Sequence, residues 1–121
     1  MRIHESEEMY LETILLLKKK KPDVRSIDIV NELGYAKSSV SVAVHRLKDK
    51  GFISFDEDGI ISFTRKGKEK AQDVYQRHRV ITSLLKGIGL SDELAEDNAC
   101  RIEHVISPEA FEIIKKYVDD K

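Results

Sequence analysis

Apolar positions recur at helical spacing from about Ser6 to Lys20, where Met9, Tyr10, Thr13, Ile14, Leu16 and Leu17 form a broad stripe. Glu7, Glu8 and Glu12 lie toward its start, where a helix dipole favours acid. Pro22-Asp23 ends this first helix. Ser26 is the expected N-cap of a short second helix carrying Ile27, Ile29, Val30 and Leu33 and stopping at Gly34. After Gly34-Tyr35-Ala36 a third helix is expected from about Lys37 to Lys50, with Val40, Val44 and Leu47 inward and Gly51 closing it. Phe52 to Phe55 and Ile60 to Phe63 then read as two short strands around Asp56-Glu57-Asp58-Gly59, a β-hairpin with Asp-Gly in its turn. Thr64 caps a long fourth helix whose apolar side continues through Val74, Val80, Ile81, Leu84 and Leu85 to about Lys86, before Gly87 to Gly89 break it. Ser91 opens a fifth helix that contains Cys100-Arg101-Ile102-Glu103-His104, and Ser107-Pro108-Glu109 opens a sixth that reaches about Tyr117.

Helix, turn, helix, hairpin is the order of a winged helix. The expected fold is therefore mostly α: a winged helix-turn-helix over residues 1–70, followed by a helical dimerisation and metal-binding domain over residues 71–121. In such a head the third helix presents its N-terminal residues to the major groove, so Lys37, Ser38, Ser39 and Ser41 are the candidate DNA contacts. Arg46, Lys48 and Lys50 are placed to meet phosphates. The three serines also suit a plain helix start with no contacts, and the acidic wing tip Asp56-Glu57-Asp58 is a poor phosphate contact. Ile102, Val105, Phe111, Ile113, Ile114 and Val118 supply more apolar surface than so short a tail can bury alone, which points to a homodimer and hence to a palindromic operator on double-stranded DNA.

Charge sharpens the picture. The net charge of -1 over 121 residues hides a basic middle: residues 18–70 carry 13 Lys or Arg against 8 Asp or Glu, while each flank is acidic. Nucleic acid is the expected anionic partner ahead of membrane, because no basic amphipathic helix with bulky apolar anchors stands out. With 40% hydrophobic and 36% charged residues the composition argues against disorder. No stretch approaches a membrane span, and Met1 to Glu5 is not followed by an apolar signal core, so a cytoplasmic location is expected. The single cysteine excludes an internal disulfide and leaves a free thiol in a reducing compartment.

That thiol carries the candidate chemistry. On a continuous helix the i, i+3, i+4 spacing sets the Cys100 thiol, the Glu103 carboxylate and the His104 imidazole on one face. Sulfur, oxygen and nitrogen together suit a first-row transition ion better than calcium or magnesium. The same triplet also suits an ordinary surface helix with a buried cysteine. An enzyme using Cys100 as nucleophile and His104 as base is a third reading, but no oxyanion site or substrate cleft is evident, and no enzymatic activity is expected. A metal-independent winged-helix regulator answering to an organic ligand or protein partner is the alternative function.

The chain resembles the iron- and manganese-dependent repressors of the diphtheria toxin repressor and manganese transport regulator family. The resemblance runs from Glu8-Met9-Tyr10-Leu11 through the winged helix and Thr64-Arg65-Lys66-Gly67 to His78-Arg79 and Cys100-Arg101-Ile102-Glu103-His104. It implies a metal site between the head and the dimerisation domain, with Met9, Cys100, Glu103 and His104 at the positions of the iron-responsive primary site. Glu12 and His78 match ligands of the manganese branch. The sulfur pair Met9 and Cys100 points to Fe(II) first and Mn(II) second, and Zn(II), Co(II) or Ni(II) are expected to bind in vitro. Two positions depart from the iron branch's second site: Thr82 stands one turn on from His78 where that site has a carboxylate, and Glu96 stands where it has a histidine. The SH3-like domain of longer members has no counterpart before Lys121. The implied function is a metal-activated transcriptional regulator, a repressor of metal-uptake genes, in which metal removes the ordering cost of DNA binding. Because Cys100 and His104 bind metal deprotonated, the response should weaken at low pH. His4 and His45 match no ligand position.

Overall fold

A computed structural model describes residues 6–120; the readings of the Met1 to Glu5 start and of His4 fall outside the described residues. The chain divides into two compact units at Gln72 and Asp73, a boundary that falls inside one helix.

The first unit holds α1 (Glu7–Lys20), α2 (Ser26–Leu33), α3 (Lys37–Asp49), β1 (Ile53–Phe55), β2 (Ile61–Phe63) and the start of α4 (Arg65–Gly87). Ser6 caps α1 by accepting the Met9 backbone N–H at 3.1 Å. Acid in its first turn and Lys18, Lys19 and Lys20 in its last complement the dipole at both ends. Met9 through Leu15 are all buried, and Leu17 with them, so α1 is the helix about which the head is packed. The second helix begins one residue earlier than its serine suggests. Its N-cap is Arg25 and Ser26 is already helical, because the Asp28 carboxylate reaches back to the Arg25 backbone N–H at 2.8 Å. Lys21 Nζ pairs with the same carboxylate at 3.0 Å.

Gly51 ends α3 in the left-handed region, φ 82°. Its N–H bonds to the Lys48 carbonyl and the Phe52 N–H to the Leu47 carbonyl, the paired bonds of a Schellman cap. The chain then enters an antiparallel hairpin in register Ile53 with Phe63, Ser54 with Ser62 and Phe55 with Ile61. The strands are one residue shorter at their starts than the apolar runs, since Phe52 lies in a bend and Ile60 just outside the paired strand. Asp56 Oδ1 accepts the backbone N–H groups of Asp58 and Ile60, each at 2.9 Å, so the first acid of the wing tip serves the turn. Ile61 N–H also bonds to the Val24 carbonyl at 2.8 Å, stitching the wing to the segment before α2.

Thr64 then fixes the start of α4. Its backbone N–H donates to the Phe52 carbonyl at 3.0 Å, its hydroxyl contacts the carbonyls of Gly51 and Phe52, and its Oγ1 accepts the Gly67 N–H at 3.1 Å. Gly67 is buried flat against Phe52: a Cβ there would lie 1.8 Å from the Phe52 carbonyl oxygen.

The second unit holds the rest of α4, α5 (Asp92–Ile102) and α6 (Pro108–Asp119). Ser91 and Ser107 cap α5 and α6 by accepting the N–H groups of Leu94 and Ala110. Val74, Ile81, Ala95, Ala99 and Phe111 are buried, whereas Ile88, Leu94, Val105, Ile113 and Tyr117 are exposed. The fifth helix ends sooner than expected. Glu103 is its C-cap and His104 lies in the following turn, so the Cys100 to His104 stretch is not one helical face. Pro108 forces Ser107 into extended backbone, φ -71° and ψ 154°, and the chain must leave the helix before it. No described helix is long and apolar enough to cross a membrane.

Candidate metal centre and recognition helix

The break after Ile102 nonetheless keeps the three donors together. The Cys100 thiol, a Glu103 carboxylate oxygen and an imidazole nitrogen of His104 all lie within 4.8 Å of one another. The remainder of the cluster comes from α4. His78 sets Nδ1 2.8 Å from Glu103 Oε2 and Nε2 2.6 Å from Glu96 Oε2. His104 Nε2 stands 3.3 Å from the other Glu103 oxygen. Glu103 Oε2 is hydrogen-bonded to His78, whereas the approach of His104 to Oε1 is close without making a hydrogen bond, and the Glu103 side chain is 0% exposed. A carboxylate out of water carries a large solvation cost unless charge and hydrogen bonds compensate it, and the His78 hydrogen bond meets part of that need. The His78 ring thus lies between two carboxylates, one from each end of the Glu96 to Glu103 stretch.

The donor set fits a divalent first-row ion. It combines thiolate, carboxylate and imidazole about a carboxylate already stripped of solvent, and such a set favours transition metals over the oxygen-seeking calcium and magnesium. Glu96 is exposed at the rim, and its partner is a candidate ligand, His78. Thr82, one turn beyond His78, is buried and its hydroxyl finds no hydrogen-bond partner among the described residues. Neither residue's contacts were legible beforehand, because the His78 to Glu96 pair spans 18 positions and two helices.

Met9 and Glu12, the two candidates of the first unit, are both buried on α1. The Tyr35 hydroxyl donates to Met9 Sδ at 3.8 Å, and the Tyr10 and Tyr35 rings meet edge-on. Tyr35 belongs to the turn that launches α3, a link between the thioether and the recognition helix that its place in the sequence does not reveal.

Along α3, Val40, Val44 and Leu47 are buried and Lys37, Ser38, Ser39, Ser41 and Arg46 are exposed. Ser38, Ser39 and Arg46 line one open cleft of about 380 Å³ together with Ser6 and Glu7, and Ser41 and Arg46 line a second beside it. Glu7 is ion-paired with Lys50, so the acid at the cleft edge is neutralised and Lys50 is already engaged. His45 turns its ring toward Phe55 of the wing, 5.7 Å between centroids, and away from any ligand role.

Two family models match the chain. Residues 2–59 match the iron dependent repressor N-terminal DNA binding domain, and residues 64–120 match the iron dependent repressor metal binding and dimerisation domain. An uncharacterized HTH-type transcriptional regulator of Methanocaldococcus jannaschii is 28% identical over 117 residues, covering 95% of this chain and 94% of its own. The diphtheria toxin repressor of Corynebacterium glutamicum is 32% identical over 117 residues, which cover 96% of this chain and 51% of that protein. The chain thus spans about half the length of that longer relative. Among solved structures, T. acidophilum IdeR superposes with a TM-score of 0.83 at 25% identity, over 98% of this chain and 56% of that one.

Proposed function

Because the chain belongs to the iron-dependent repressor family, whose members are metal-dependent transcriptional regulators and not enzymes, we propose that it represses metal-uptake genes when a divalent metal is bound, Fe(II) first and Mn(II) second. The carrying observation is the Cys100, Glu103 and His104 donor set, drawn together within 4.8 Å about a fully buried carboxylate. A divalent ion held by these residues would supply positive charge there.

Cys100 contributes a soft sulfur donor and His78 and His104 contribute imidazole, a combination that favours iron over the harder manganese site. Met9 and Glu12 are proposed as further ligands from the resemblance. They belong to the unit that carries α3, whereas His78, Cys100, Glu103 and His104 belong to the other. Ligation from both would order the head before DNA arrives, so that ordering is not charged against operator binding. A coupling of about 1–3 kcal/mol, roughly 5- to 150-fold in affinity, is typical of such linkage. On α3, Lys37, Ser38, Ser39 and Ser41 are proposed to read the groove and Arg46 to hold phosphate. The exposed Val105, Ile113 and Tyr117 are proposed to bury against a second copy, which would place two recognition helices on a palindromic operator in the cytoplasm.

The experiment is anaerobic binding to candidate metal-transporter promoters with Fe²⁺, Mn²⁺ or chelator, beside Cys100→Ala and Glu103→Ala. Tight binding that needs metal in the parent and is lost in both variants is the expected result. Equal affinity in chelator and metal, untouched by either substitution, would leave a DNA-binding protein with some other signal.

A further inference from the structure

Glu103 is held by its backbone as well as by its side chain. It is the C-cap of α5, the position at which a helix leaves its last carbonyls without intrahelical donors. Arg77 of α4 fills that need: its Nη1 donates to the Glu103 carbonyl at 2.8 Å. The neighbouring residue of the same helix, His78, meets the Glu103 carboxylate, also at 2.8 Å. Two consecutive residues of one helix therefore grip one residue at two points, its main chain and its side chain. The guanidinium is itself steadied, with Nη2 3.4 Å from Asp73 Oδ2 one turn earlier and a side chain only 14% exposed.

This grip matters because Glu103 sits where the helix stops. A carboxylate in mid-helix inherits its direction from the backbone ladder. One on a C-cap followed by a turn does not, and a small change in its φ and ψ swings the carboxylate away from Cys100 and His104. The geometry points to Arg77 as a positioning residue of the metal centre, one that touches no ion but fixes the Glu103 backbone so that the Glu103 carboxylate, the Cys100 thiol and the His104 imidazole converge. The inference rests on the metal reading above. An outer-shell contact of this kind typically governs metal affinity by about 10- to 100-fold.

The rival role for Arg77 is a helix cap alone, since an arginine at a helix C-terminus stabilises it wherever it occurs. Anaerobic Co²⁺ titration of the full chain separates the two roles, read by ligand-field and thiolate-to-cobalt absorption and followed by thermal melting without metal. The variants are Arg77→Gln, Arg77→Lys, Glu103→Gln and Ser91→Ala, the last removing the N-cap of the same α5 at its far end. Arg77→Gln should weaken Co²⁺ binding by about 10- to 100-fold and alter the spectrum. Arg77→Lys, which keeps one donor, should recover most of both even if Arg77→Gln does not fold. Ser91→Ala should melt earlier yet keep the parent's spectrum and affinity. If both Arg77 variants bind Co²⁺ as the parent does while Glu103→Gln does not, the positioning role is overturned and the metal centre stands. If the parent itself gives no cobalt spectrum, the metal reading fails and takes this inference with it.

Discussion

Gly67→Ala is the most severe single-methyl change that the head offers. In an ordinary helix interior, alanine in place of glycine stabilises by up to about 1 kcal/mol. Here the new Cβ would lie 1.8 Å from the Phe52 carbonyl oxygen and 2.7 Å from its carbonyl carbon, both backbone atoms that cannot rotate away. Carbon-to-oxygen contacts settle near roughly 3.3–3.6 Å, so the start of α4 must retreat from Phe52 by about 1.5 Å. That retreat breaks the Thr64 N–H to Phe52 bond of 3.0 Å and strains the two hydroxyl contacts that Thr64 makes with Gly51 and Phe52. Losing that bond and weakening the two hydroxyl contacts costs about 2 kcal/mol together, and overpacking adds about 1–3 kcal/mol, against about 1 kcal/mol of helix propensity gained. The expected net loss is about 2–4 kcal/mol. For a small domain that is a fall in melting temperature of roughly 10 °C or more. Gly87→Ala is the matched control on the same helix. Nothing lies within 4 Å of its added Cβ and its φ is not positive, so it should be neutral or slightly stabilising. Thermal and urea melts of both variants decide the matter. A Gly67→Ala protein that melts within a degree or two of the parent would refute the close packing of α4 on Phe52.

Two further substitutions probe the head. The Asp28 carboxyl is held below its ordinary value of 3.8, first by the Arg25 backbone N–H and then by Lys21. Its stabilisation is therefore complete above that value and is lost as pH falls through the depressed one. Asp28→Ala should cost about 1 kcal/mol at neutral pH, and urea midpoints should show the gap from the parent closing below pH 3.8; a constant gap would be wrong for this cap. Arg46→Ala should leave stability within about 0.5 kcal/mol, because the residue is exposed, while lowering the salt dependence of DNA binding by about one counterion. An unchanged slope in a salt series would remove Arg46 from the phosphate contacts.

What was legible in the sequence was whatever local rules encode. The hairpin follows from Asp56 to Gly59 between apolar runs, and the ends of α2 and α3 follow from Gly34 and Gly51, which take φ 72° and 82°. The N-cap of α2 was misread by one residue because Ser26 is the better capping side chain, yet Asp28 can reach Arg25 only if the cap lies there. The end of α5 was missed for a deeper reason. No glycine marks it, and Cys100, Glu103 and His104 fit helical spacing so well that the early stop at Ile102 looks unnecessary. Two constraints fix it: extended Ser107 before Pro108, which is local and readable, and the Arg77 guanidinium on the Glu103 carbonyl, which spans 26 positions and leaves no trace in any window of sequence. The same holds for His78 between Glu96 and Glu103, and for the Tyr35 hydroxyl on Met9 Sδ. Donor types and their rough spacing can thus be read along the chain, whereas the groups that aim those donors come from other elements. On the proposed function, a switch that depended on ligand direction would keep its most consequential residues in that second class, and Arg77 is the one whose removal tests the principle without deleting a ligand.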